Sequence, residues 1–379
     1  NRMWKHWGLV LAIMVYFANL WPGWALSSAT LGSYLFGGDP KTIAVTMLVV
    51  IGASLTLAPV VYVALERLIF VKVAAVGVLA LLAAVFAIEP VSWRALPGGL
   101  VNIGYFPSEL GFALLFGAMV FAGAGGGQNL CQSNWIRDKG FGMGRYVPRL
   151  VSPLTGVEEA VEARVSYVFE QTPANLARWR EWWRFANVEQ WVSFVMVTVI
   201  TICLTSMLAH STLFGRTALQ NGVSFLQVEA GELSSRVGPW FGAFFLGIGA
   251  FSLFGSAMGI IDYTSRLAAD ILKSTYFGES SLSESRIYFA LVWGLVAIGA
   301  SILILGVAQP LVLLVISASV GGGMMFVYAG LLIVTNRRRL TGAIRLRSYR
   351  LAALVWATLL FGTMASITIW QQVGNLLRH

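Results

Sequence analysis

The chain has 379 residues, of which 57% are hydrophobic and only 11% charged, with a mean hydropathy of +0.75 and a net charge of +9. A soluble domain carries about 25% charged residues, so this composition excludes a water-soluble globular protein. Strict apolar–polar alternation is absent, which argues against an outer-membrane barrel.

Nine apolar runs are long enough to cross a bilayer, which takes about 20 residues in a helix. In chain order they fall roughly at 7–29, 42–65, 69–88, 108–135, 190–213, 239–273, 287–307, 310–335 and 349–376. They predict an all-α polytopic membrane protein, one transmembrane bundle over 1–379. The first run contains Pro22, which membrane helices tolerate, and the chain opens at Asn1, not Met, so a preceding segment is expected. Glu66 and Arg67 fall at the turn between the second and third runs and read as interfacial.

The fourth run holds the oddest stretch, "FAGAGGGQNLCQSNWIRDKG" from Phe121 to Gly140. Each glycine weakens a helix by about 1 kcal/mol relative to alanine, and Gln128 and Asn129 add amides that hydrocarbon leaves unsatisfied. Close helix packing is one explanation. A broken helix at membrane depth is the favoured one, with freed carbonyls and amides around Gly123, Gly126, Gln128, Asn129 and Gln132 turned toward a substrate.

A long stretch, 137–189, follows. "TGVEEAVEARVSYVFEQ" has helical spacing, and "NLARWREWWRFANVEQW" sets Trp179, Trp182, Trp183 and Trp191 among arginines, the pattern of an amphipathic interfacial helix leading into the fifth run. Between the fifth and sixth runs, Glu229 and Glu232 read as part of an ordinary solvated loop. The sixth run places Asp262, Arg266 and Asp270 at i, i+4 and i+8, a self-neutralising ladder; the other reading is an ion-pathway carboxylate at Asp262. In the eighth run Ser317, Ser319 and Gly321-Gly322-Gly323 suggest a second glycine-interrupted span, with a cavity between it and the fourth. The basic stretch 336–348 precedes the last run.

With the spans alternating, 21 of the 26 Lys and Arg lie on the side of the N-terminus, Arg67 and Lys72 counted among them. The positive-inside rule then puts that side, with 137–189 and 336–348, in the cytosol of a cell in whose inner or plasma membrane the protein sits. The basic excess is topological, and its expected partner is anionic lipid, not nucleic acid. Cys131 and Cys203 lie in separate spans, and His6, His210 and His379 are scattered, so no thiolate or His-rich metal motif arises. Neither a nucleophile–base pairing nor a phosphate loop suggests an enzyme.

"ALERLIFVKVAAVGVLALLAAVFAIEP" followed by "GAGGGQNLCQS" resembles the NRAMP family of divalent-metal transporters, and "LLIVTNRRRLTG" resembles the end of that family's tenth helix. The resemblance implies a LeuT-like inverted-repeat bundle in which the nine spans match family helices three to eleven and the first two helices are missing. The family's sixth helix breaks at Met-Pro-His-Asn-Leu; anchoring on Asn129-Leu130 puts Gln128 at the His, Gly127 at the Pro and Gly126 at the metal-binding Met. The Asp-Pro-Gly-Asn motif of the family's first helix is absent, and Asp39-Pro40 is followed by Lys41 in a loop. Acidic residues of its third helix, tied to proton movement, are missing too; Trp21 and Trp24 fall near them. Without the soft thioether, carbonyls near Gly123, the amides of Gln128 and Asn129, and further oxygens at Gln132 and Ser317 suit a hard cation such as Mg²⁺. The expectation is therefore a divalent-cation transporter without proton coupling, the ion being substrate and no cofactor being required. The alternative is a non-transporting scaffold that partners other membrane subunits.

Overall fold

A computed structural model describes residues 6–58, 61–105, 111–123, 125–146, 149–155, 169–216, 222–278, 280–307, 309–340 and 342–376. Among these residues every regular element is helical, and nine helical stretches are long and apolar enough to cross a membrane. This is the architecture of a polytopic membrane protein. The proposed helix over "TGVEEAVEARVSYVFEQ" lies almost entirely outside the described residues.

The first span is not one helix. It divides into α1 (Trp7–Asn19) and α2 (Gly23–Phe36), parted at Leu20, Trp21 and Pro22. Pro22 has no N–H to continue α1, and its carbonyl instead accepts from Leu26 N to start α2. Then α3 (Pro40–Leu57) begins where Asp39 accepts from Thr42 N and Pro40 occupies the first turn, so the expected loop dipeptide is a helix cap.

The third span, α4 (Val61–Phe86), begins earlier than expected. Glu66 and Arg67 therefore sit in a helix, not a turn, and Glu66 pairs with Lys139 at 3.0 Å. Lys72, counted above with the cytosolic-side cations, lies within this span, as the run 69–88 already placed it. The connection to the fourth span carries a short helix, α5 (Pro90–Val101).

The fourth span is α6 (Phe112–Ala122) and α7 (Gly127–Lys139), broken between them as expected. Next come α8 (Pro173–Glu189) and α9 (Val197–Leu213), joined by a π-helical segment at Gln190–Met196. The Trp- and Arg-rich helix thus continues into the fifth span through the π-helical segment with no loop between them. The stretch between the fifth and sixth spans also differs from expectation: α10 (Phe225–Arg236) forms there and buries Glu229. Sequence patterning failed here because one buried face on a 12-residue helix resembles a polar loop.

At the centre runs α11 (Pro239–Thr275), packed against α1, α2, α3, α4, α7 and α10, and against α12 (Glu284–Ile304). Residues 261–269 are buried on every side, as befits a helix enclosed all round. Finally α13 (Pro310–Arg339) and α14 (Tyr349–Leu376) pack on each other. Arg337, Arg338 and Arg339 form the last turn of α13, so the basic loop is shorter than 336–348.

The apolar core has two main parts. Leu26, Leu48, Ile51, Met258 and Val292 join α2, α3, α11 and α12. Val15, Phe116, Met324 and Met364 join α1, α6, α13 and α14, with Tyr263 and Leu267 of α11 in the same cluster. The helix breaks open between these halves.

Candidate substrate cavity

The break in the fourth span is built from glycines because its backbone demands them. Gly125 and Gly126 have φ of +67° and +84°, left-handed values that cost other residues about 1–2 kcal/mol. Gly125 N still bonds back to Val120 O at 2.9 Å, closing α6 with a wide final turn. Asn129 then reaches back across the gap, its amide donating to Gly123 O and to Tyr328 Oη, each at 3.1 Å. One freed carbonyl is thereby satisfied from within the protein.

Directly opposite stands α13, and it is not interrupted. The expected second break is absent: Gly321, Gly322 and Gly323 all lie within a continuous helix. Gly321 and Gly322 serve close packing instead. A Cβ at Gly321 would sit 2.9 Å from Gly125 O, and one at Gly322 would strike the Phe116 ring. Gly126 is equally confined, since its Cβ would meet Gly321 O, Met324 and Met325 at 2.9 Å. Gly125 and Gly126 on one side and Gly321 on the other form one close contact.

A cavity of about 220 Å³ opens beside the break. Its wall includes Trp24 of α2, Lys72 of α4, Gln128 of α7, Ser256 and Tyr263 of α11, and Ser317 of α13. Asn19, the last residue of α1, also faces it, so the cavity touches both interrupted spans. Asn19 is fully committed: its amide donates to Val15 O and Thr264 Oγ1, and its carbonyl accepts from Tyr263 Oη.

Of the six expected site residues, Gln128 and Ser317 line this cavity. Gly123 and Asn129 are spent on each other. Gly126 is turned onto α13, and Gln132 is exposed away from the cavity wall. Asn19, Trp24 and Lys72 were missed. Their signals were "NLWPG", an amide just ahead of a helix-breaking proline, and "FVKVAAVGV", a lone lysine inside an apolar run.

Below the cavity lies a buried ionic cluster. Arg266 is fully buried and donates to both oxygens of Asp262, at 2.8 and 3.2 Å, and also to Asp138 of α7. Tyr288 Oη adds a 2.9 Å bond to Asp262, and Trp135 Nε1 a 3.3 Å bond. The expected ladder is thus half right: Asp262 pairs with Arg266, but Asp270 accepts from Asn134 and lies beside Arg137. Asp262 faces four donor groups and is no free carboxylate. Among the described residues, no group of three or more His, Cys, Asp or Glu could hold a metal ion.

No protein family, curated protein or solved structure matches this chain.

Proposed function

We propose that this chain is the core of a membrane transporter whose solute site is the cavity at the two helix breaks. The observation that carries this reading is the α6–α7 interruption opening onto a cavity with polar groups on its wall inside an apolar bundle. Irregular backbone at membrane depth is tolerated where protein encloses it or where it lines a cavity, and such breaks mark the solute sites of secondary transporters. The break also falls where the resemblance to the NRAMP family puts one. On this reading the N-terminus and the 137–189 and 336–348 segments face the cytosol of a cell whose inner or plasma membrane holds the protein, as their basic residues favour.

The narrower expectation of a hard divalent cation draws less support. Of the ligand set Gly123, Gln128 and Asn129, only Gln128 lines the cavity. Among the described residues the one charged side chain on the wall is a lysine, which repels a cation. Flux assays in proteoliposomes test the reading, with Mg²⁺, Mn²⁺ and small organic anions as candidate solutes and Ser317→Trp as a cavity-filling variant. Solute-dependent flux that Ser317→Trp abolishes is expected. Uptake of Mg²⁺ would restore the cation as cargo, and no flux of any solute would favour the scaffold alternative.

A further inference from the structure

Lys72 is a cation without a counter-charge. It sits on α4 within the span and donates to Ser256 Oγ at 3.1 Å. Among the described residues it makes no ion pair. The acid most deeply placed on the neighbouring helix, Asp262, is taken by Arg266, Tyr288 and Trp135. An ammonium in a membrane span is costly, and such residues face a functional cavity as a rule.

The rest of the wall has the same polarity. Ser317 is 6% exposed and lines the cavity, and among the described residues its hydroxyl makes no hydrogen bond. The indole N–H of Trp24 is buried and unpartnered. The amide of Gln128 is uncommitted, and α7 starts here with no side-chain cap on its N-terminus, an end that favours negative charge. The cavity gathers unused donors and one positive charge, and among the described residues no carboxylate lines it. Ile69, Phe121 and Ile260 supply apolar surface beside these groups.

We infer that this cavity binds a small monocarboxylate, its carboxylate on Lys72 and the free donors and its short alkyl part against the apolar wall. The inference deepens the transporter reading by naming the solute class of the same cavity. A single positive charge suits a monovalent anion, and a water occupies about 30 Å³ of liquid, so about 220 Å³ holds an acid of a few carbons with room for water.

The test is binding by the full-length protein in detergent, with sodium propionate as the probe and sodium chloride and magnesium chloride as comparisons. Calorimetry and tryptophan fluorescence give the readout, Trp24 and Trp135 both being on the wall. Saturable propionate binding is expected, weakened at least tenfold in Lys72→Met and partly recovered in Lys72→Arg. Ser317→Ala, which removes one hydroxyl, is expected to weaken it severalfold and guards against a folding defect at position 72. Affinity unchanged in both Lys72→Met and Ser317→Ala, or no propionate binding by folded protein, would overturn the inference. Propionate binding without flux in proteoliposomes would sustain the anion site and end the transport reading. Flux of another solute without propionate binding would do the reverse.

Discussion

The Arg266 guanidinium donates to the Asp138 carboxylate across 128 positions of sequence, with both side chains fully buried. That bond fastens α7, the second half of the broken span, to the central helix α11. Removing one member of a buried pair leaves an uncompensated charge, at a cost of about 3–5 kcal/mol. Arg266→Ala is therefore expected to lower the thermal unfolding midpoint in detergent sharply. An unchanged midpoint would show that α7 is held by other contacts.

The glycines at the break and opposite it are expected to differ in what they tolerate. Gly126→Ala forces a side chain into φ +84° and against Gly321 O at 2.9 Å, and should destabilise by about 2–3 kcal/mol. Gly323→Ala meets nothing within 4 Å on a continuous helix, and should be neutral or stabilise by up to about 1 kcal/mol. Equal midpoints for the two variants would contradict the packing described.

Glu229 on α10 makes stability depend on pH. Burial raises its pKa from 4.5 to about 7, only partly opposed by the Thr212 hydroxyl donating to it at 3.3 Å. Below the unfolded value both states are protonated and nothing is lost. Between about 4.5 and about 7 the folded state alone retains the proton, so stability falls as pH rises through this window. It levels off above it, after a total loss on the order of 3 kcal/mol. Glu229→Gln should flatten this part of a stability–pH curve recorded from pH 4 to 8.

Sidedness is open to direct labelling. In a Cys131→Ala, Cys203→Ala background, single cysteines at Glu170 and Arg345 are expected to resist an impermeant maleimide applied to intact cells and to react after permeabilisation. Labelling of either from outside would reverse the proposed orientation.

All nine spans were legible in the sequence because length and apolarity alone decide them. So was the break at Gly123–Gly126, since three glycines before an amide pair leave a helix little reason to continue. What stayed hidden depended on partners. The triplet at Gly321–Gly323 has the same composition, but it lies against Gly125 and Phe116, and close packing keeps that helix whole. Pro22 broke a span although proline alone does not require it; the deciding contacts, Asn19 with Thr264 and Tyr263, join residues about 245 positions apart. Lys72 fell inside its run, but its place on the cavity wall depends on neighbours such as Ser256, 184 positions away.

The continuous helical stretch from Pro173 to Leu213, α8 and α9 with the π-helical segment between them, sets a scale for the whole molecule. Its 41 residues measure about 60 Å at 1.5 Å per residue, twice the roughly 30 Å of hydrocarbon. Even leaning at 40°, the limit seen for membrane helices, it would overshoot by more than 10 Å. The arginine-bearing end must therefore stand clear of the lipid as a mast. Trp191 then marks the waterline, while Trp179 rides about 18 Å higher along the axis, beyond any headgroup. Its ring stacks on Trp183, which in turn lies under Arg350 at 4.5 Å. The upper tryptophans are rigging between this mast and the foot of α14, and what tilts one would tug the other.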